Sequence, residues 1–157
     1  MLVHVRWLIA RDMPEVMLCD GANGLLWQEE EFLHCLRQRN CIGMIAEHKA
    51  STIGFVLYLL EKTSIDVLNI GVHPHLDDNA AMDVYRALIG KLLSKTATCH
   101  KRNKTIVPVE LSASRLPLLN LLKSMGFKAA LDGNTVVMTS TANEERPTSC
   151  QNSRPSR

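Results

Sequence analysis

A chain of 157 residues has the length of one domain, enough to bury roughly two-thirds of its unfolded surface. Apolar residues make up 46% and charged residues 22%, which are globular values, and a net charge of +2 is too small to argue for nucleic-acid or membrane binding. No apolar run reaches the ~18 residues needed to span a bilayer, and the charged start M-L-V-H-V-R-W-L-I-A-R-D reads as a first strand and not a signal peptide.

Leu2 to Ala10 is that strand, with Val3, Val5, Trp7 and Ile9 alternating against Leu2, His4, Arg6 and Leu8. Asp12 can cap a helix that tolerates Pro14 in its first turn and ends near Gly21. Gly21 to Gly24 is a loop, and Trp27 opens a second helix. Glu29, Glu30 and Glu31 sit in its first turn and Arg37 and Arg39 in its last, as the helix dipole favours. Three strand candidates follow: Cys41 to Glu47, Thr52 to Glu61 and Ile65 to His73. The turns Lys49-Ala50-Ser51 and Lys62-Thr63-Ser64 between them predict an antiparallel meander.

The third strand runs into a short polar loop, Pro74 to Asp78, and then a helix. Ala81, Val84, Tyr85, Leu88, Ile89 and Leu92 fall on one face of that helix, which runs to about Thr98. A strand, loop and helix in this order can present a helix N-terminus to an anion. After the basic connector Cys99 to Lys104, Thr105 to Leu111 reads as a strand, with Pro108 arguing for an edge or splayed position. Ser114 caps a short helix with Pro117 in its first turn and Gly126 as C-cap. Phe127 to Leu131 and Thr135 to Thr141 form a hairpin around Asp132-Gly133-Asn134. The domain spans 1–141, and the polar stretch 142–157, with Pro147 and Pro155, reads as a disordered tail.

Cys19, Cys35, Cys41, Cys99 and Cys150 are odd in number and irregular in spacing, without a CxxC or Cys/His signature. They read as reduced thiols, mostly buried, in a cytoplasmic protein. His73 and His75 beside Asp77 and Asp78 could hint at a metal, but no third and fourth ligand stands at typical spacing.

The element order β-α-α-β-β-β-α-β-α-β-β resembles that of the GNAT acetyltransferases. V-L-N-I-G-V-H-P (67–74) resembles the family's fourth strand, V-E-L (109–111) its fifth, and K-S-M-G-F (123–127) the end of its last helix. W-Q-E-E-E-F and C-L-R-Q-R-N-C-I-G-M-I-A-E are similar to the RimI-type branch, which acetylates protein N-termini. The resemblance covers about residues 1–140. It implies an α/β (α+β) fold: a mixed, mostly antiparallel twisted sheet of six or seven strands, about four helices, and a V-shaped cleft after the fourth strand.

It also implies acetyl-CoA as cosubstrate and a protein or peptide amine as acceptor, with the protein a monomer or homodimer. Backbone groups of Ile70, Gly71 and Val72 would pair with the pantetheine arm; Gly71 also reads as a bulge or a point of close packing. Asp77, Asp78, Asn79, Ala80 and Ala81 stand at the pyrophosphate loop. There the segment H-L-D-D-N-A-A departs from the family pattern, with Leu76 at its Gln/Arg position, and reads equally as an ordinary helix cap. Glu110 matches the family's general base, or is a strand glutamate facing solvent. Leu122 replaces the tyrosine that serves as its general acid, and Arg115, in place of an asparagine that touches the cofactor, is a further candidate for binding it. Two functions stay open: an N-acetyltransferase, and a catalytically degenerate domain kept as a binding or regulatory module.

Overall fold

A computed structural model describes residues 1–22, 28–98 and 101–142. The strands are β1 (His4–Trp7), β2 (Cys41–His48), β3 (Ser51–Leu60), β4 (Ser64–Val72), β5 (Lys104–Glu110), β6 (Lys128–Asp132) and β7 (Thr135–Thr141). The helices are α1 (Met13–Ala22), α2 (Glu29–Arg37), α3 (Asp78–Ala97) and α4 (Leu116–Ser124), with 3-10 turns at Ala10–Asp12 and Ala113–Arg115. The strands form one sheet in the order β1-β2-β3-β4-β5-β7-β6. Every neighbouring pair is antiparallel except β4 and β5.

The sheet separates two cores. On one face α3 and α4 pack through Val84, Tyr85, Leu88, Ile89, Leu92, Leu118 and Leu122. On the other, α1 and α2 pack through Val16, Cys19 and Phe32 against Ile45, Phe55 and Leu57. β3 is covered on both faces, which is why I-G-F-V-L-Y-L-L is almost continuously apolar. At β5 the covering changes. Thr105, Val107 and Val109 are buried against the α3 side, whereas Pro108 and Glu110 on the opposite face are exposed, as is all of β6. Half of the sheet therefore carries helices on both faces, and half shows one bare face.

The six apolar positions of α3 are all buried. A buried Val, Leu or Ile side chain is worth about 1.5–3 kcal/mol, against about 1 kcal/mol for a helix cap. Packing, and not the preceding loop, therefore fixes where α3 begins. Gly54 makes the close approach: a Cβ there would meet Val84 Cγ1 at 2.6 Å and the Gly71 carbonyl oxygen at 3.0 Å.

Several boundaries differ from the sequence reading. β1 is shorter than Leu2 to Ala10, because the chain turns at Ile9, whose amide donates to the Asp12 carboxylate at 2.8 Å. Asp12 thus bonds backwards and does not cap α1. That helix continues through Gly21 to Ala22. Trp27 lies outside the described residues, and α2 starts at Glu29, with the Gln28 amide donating to Glu31 Oε1 at 2.7 Å. Arg39 falls beyond its end. Ser112, not Ser114, precedes the turn into α4. Gly126 (φ 93°) follows α4 as expected, in a motif where Phe127 N–H donates to Leu122 O. The stretch from Asn143, as well as Cys99 and Cys150, lies outside the described residues.

Candidate active site

The site begins with a register change in β4. Tyr58 pairs with Val67 and Leu57 with Asn69, so Leu68 has no partner on β3 and forms a bulge. Ile65 and Val67 point to the α3 face before it. Ile70 and Val72 return to that face after it, while Leu68 packs on the α1 side. The spacing 65, 67, 70, 72 carries this signal: one interval of three in a run of twos. Reading these positions as one strand face misses the bulge. Gly71 is not at the bulge: it stands opposite Phe55, and its carbonyl oxygen lies 3.0 Å from where a Cβ on Gly54 would be.

β4 and β5 are paired in parallel only from Ser64–Asp66 to Lys104–Ile106, and then part. Pro108 accounts for the parting on the β5 side. Leu111 N–H donates to Asn134 O at the β7 side at 2.9 Å. Amides alternate along a strand, so the Pro108 nitrogen faces β4, with no hydrogen to give. Pro108 thus holds the splayed position expected of it. The opening holds a cavity of about 130 Å³ whose lining includes Leu68, Ile70, Pro108, Glu110, Arg115 and Thr135.

Ile70 turns its carbonyl into this opening, and by alternation Val72 faces the same way. The Ile70 carbonyl accepts a hydrogen bond from Arg115 Nη2 at 3.0 Å. Arg115 Nη1 makes a longer contact, 3.4 Å, to the Tyr85 hydroxyl on α3. Arg115 stands where a 3-10 turn passes into α4 and is only 3% exposed. Burial raises the pKa of the Tyr85 phenol, and the neighbouring guanidinium works against that shift.

Beyond β4 the loop stays tied to the sheet, since His73 N–H donates to Ile53 O at 2.8 Å. His73 and His75 lie ring to ring, 5.0 Å between centroids. Asp77 is the N-cap of α3, and its carboxylate accepts from Ala80 N–H at 2.8 Å. Ala81 N–H donates to Asp77 O, and the Ala81 side chain is in the core. Asp77, Asp78 and Asn79 are exposed at the helix start. Arg86 pairs with Asp83 at 3.1 Å and so does not offset these carboxylates.

Glu110 ends β5 opposite Thr135, exposed at the rim of the cavity on the bare face of the sheet. Leu122 is fully buried in α4. The structure therefore brings Ile70, Val72, Glu110 and Arg115 to one opening, sets Asp77 to Ala80 at the start of α3, and leaves Gly71 and Ala81 facing elsewhere. Among the thiols, burial raises Cys35 and pushes Cys41 up to about 11, so neither is activated. Among the described residues no three His, Cys, Asp or Glu side chains gather as metal ligands, and no helix is long and apolar enough to cross a membrane.

No family model matches the sequence, and no curated protein matches it either. Solved structures do match. The ribosomal-protein-S18-alanine N-acetyltransferase of Escherichia coli is 14% identical, with TM-score 0.71 over 90% of this chain and 94% of that one. NAA60 of Arabidopsis thaliana, in complex with acetyl-CoA, is 16% identical, with TM-score 0.66 over 90% and 99%. A GNAT family acetyltransferase of Elizabethkingia anophelis with acetyl-CoA bound is 13% identical, with TM-score 0.58 over 88% and 97%. The chain has the GNAT fold. Its mixed seven-stranded sheet, four helices and parted fourth and fifth strands agree with the expected architecture. At such low identity the GNAT fold is shared while the acceptor is not specified.

Proposed function

We propose that this chain is an N-acetyltransferase that uses acetyl-CoA and acts on a primary amine, in the manner of the RimI-type enzymes at a protein or peptide N-terminus, in the cytoplasm. One observation carries the reading: the bulge at Leu68 and the parting of β4 from β5 leave backbone groups of Ile70 and Val72 facing an opening with Glu110 at its rim. The likeness to a ribosomal-protein-S18-alanine N-acetyltransferase supports a protein amine as the acceptor.

Acetyl-CoA supplies a thioester that an uncharged amine attacks. The residues divide the remaining work. Ile70 and Val72 would orient the pantetheine arm along β4. An amine arriving over the bare face of β5 and β7 meets Glu110, whose carboxylate can take the ammonium proton directly or through a water. Leu122 offers no proton to the leaving sulfur, so water serves at the open mouth. The pyrophosphate end fits less well. Asp77 already holds the Ala80 amide, and each carboxylate near a phosphate charge costs about 1 kcal/mol in water-like surroundings. Weak cofactor affinity is the consequence.

A second reading, a GNAT-fold binding or regulatory module, is favoured by that same Asp77 cap and by the burial of Leu122. Coenzyme A release measured with acetyl-CoA and a panel of N-terminal peptides separates the two. The enzyme reading expects release from at least one peptide, and a loss of about 10²-fold in kcat for Glu110→Gln. Saturable acetyl-CoA binding without release from any peptide supports the module.

A further inference from the structure

We infer that Arg115 is an internal occupant of the cleft between β4 and β5, which an acyl donor must displace to seat against Ile70. The inference rests on the acetyl-CoA reading and adds regulation of the same site by one of its own side chains. Ile70 presents a carbonyl to the opening, and Arg115 Nη2 already donates to it at 3.0 Å. An extended ligand arm lying along β4 needs an acceptor on this edge for its own amide N–H. The guanidinium takes that place as an amide would, but with a full positive charge, which makes the hydrogen bond stronger than a neutral one.

Space argues the same way. The cavity of about 130 Å³ is lined by Leu68, Ile70, Pro108 and Glu110, with the guanidinium as part of its wall. With the guanidinium in that wall, the opening between β4 and β5 is narrower than it would be with the side chain turned away. The residue is also held from behind. The Tyr85 hydroxyl on α3 lies 3.4 Å from Nη1, and only 3% of Arg115 is exposed. Its backbone sits at the 3-10 turn leading into α4, whose first residues Leu116 and Pro117 follow directly. A rotation of the side chain off β4 would free the Ile70 carbonyl without moving a strand.

Calorimetric titration of acetyl-CoA into the wild-type protein, Arg115→Asn and Tyr85→Phe tests this, with the Arg115 Nε–H and Val72 amide resonances followed by NMR. Arg115→Asn should tighten binding by about tenfold, since a charge-assisted hydrogen bond is worth at least that factor. Tyr85→Phe, which removes the rear support, should tighten it about twofold to threefold. In wild type the Arg115 Nε–H resonance should shift on saturation. If Arg115→Asn is folded and binds equally or more weakly while wild type saturates, Arg115 is a ligand or a structural group and the inference is wrong. Should Arg115→Asn not fold, Tyr85→Phe decides by the same criterion. No saturable binding in any folded variant would overturn the acetyl-CoA reading itself, and this inference with it.

Discussion

Arg6 reaches Asp12 through two nitrogens, Nη1 to Oδ2 at 2.9 Å and Nη2 to Oδ1 at 2.7 Å, and donates from Nε to Glu47 at 2.9 Å. Asp12 also accepts the Ile9 amide and is 6% exposed. The hydrogen bonds from Arg6 hold its carboxyl below the ordinary value of 3.8, against the opposing effect of burial. A depressed carboxyl stabilises the fold above its unfolded value, and that contribution disappears as pH falls through the folded value. Asp12→Asn should therefore cost about 2 kcal/mol at pH 7, less than a fully buried pair would because Arg6 is partly solvated. The gap between mutant and wild type should close as pH falls below the usual carboxylate range near 4. Urea midpoints measured from pH 7 down to 3 check this, and a constant gap would contradict it. The sequence could name Asp12 as a helix cap but not its direction, since the competing donor, Arg6, comes from the strand before it.

The β2–β3 hairpin closes with Lys49 (φ 52°) and Ala50 (φ 66°), between His48 and Ser51. Two positive φ values suit the right-handed twist of the strands, but neither residue favours them, and each costs roughly 1 kcal/mol or more. The double change Lys49→Asn with Ala50→Gly, which supplies the two residue types this turn favours, should stabilise the protein by about 1 kcal/mol and raise the melting midpoint by about 2–4 °C. A calorimetric scan would read that directly. Other elements were legible without the structure. α3 could be read to within a few residues because Ala81, Val84, Tyr85, Leu88, Ile89 and Leu92 keep a helical period over its first four turns. The parting of β5 could be read from Pro108. The Leu68 bulge escapes a reading that treats strand alternation as unbroken, although the step from 67 to 70 breaks it. Arg115 could be placed in the chain but not in space: its partners, Ile70 and Tyr85, lie 45 and 30 positions earlier.

Across the whole molecule, α3 is pinned to the sheet by buried residues spread from Ala81 to Thr96. The loop before it can then be recharged without moving the helix, because the buried face of α3 outweighs its cap. Asp77→Ser keeps a side-chain acceptor for the Ala80 amide and removes one negative charge from the helix start. Fold stability should change by less than about 0.5 kcal/mol. Acetyl-CoA affinity should rise about fivefold at low ionic strength, the equivalent of about 1 kcal/mol of relieved repulsion. At a ligand concentration about ten times the wild-type dissociation constant, ligand-induced stabilisation would grow from about 1.4 to about 2.3 kcal/mol. That is a further rise of roughly 2–4 °C in the ligand-bound melting midpoint. Near 0.5 M salt the Debye length falls to about 4 Å, and the difference between the two proteins should shrink accordingly. An equal ligand shift in both proteins at low salt would mean that the pyrophosphate does not approach the start of α3, and that the donor does not run along β4 from that end.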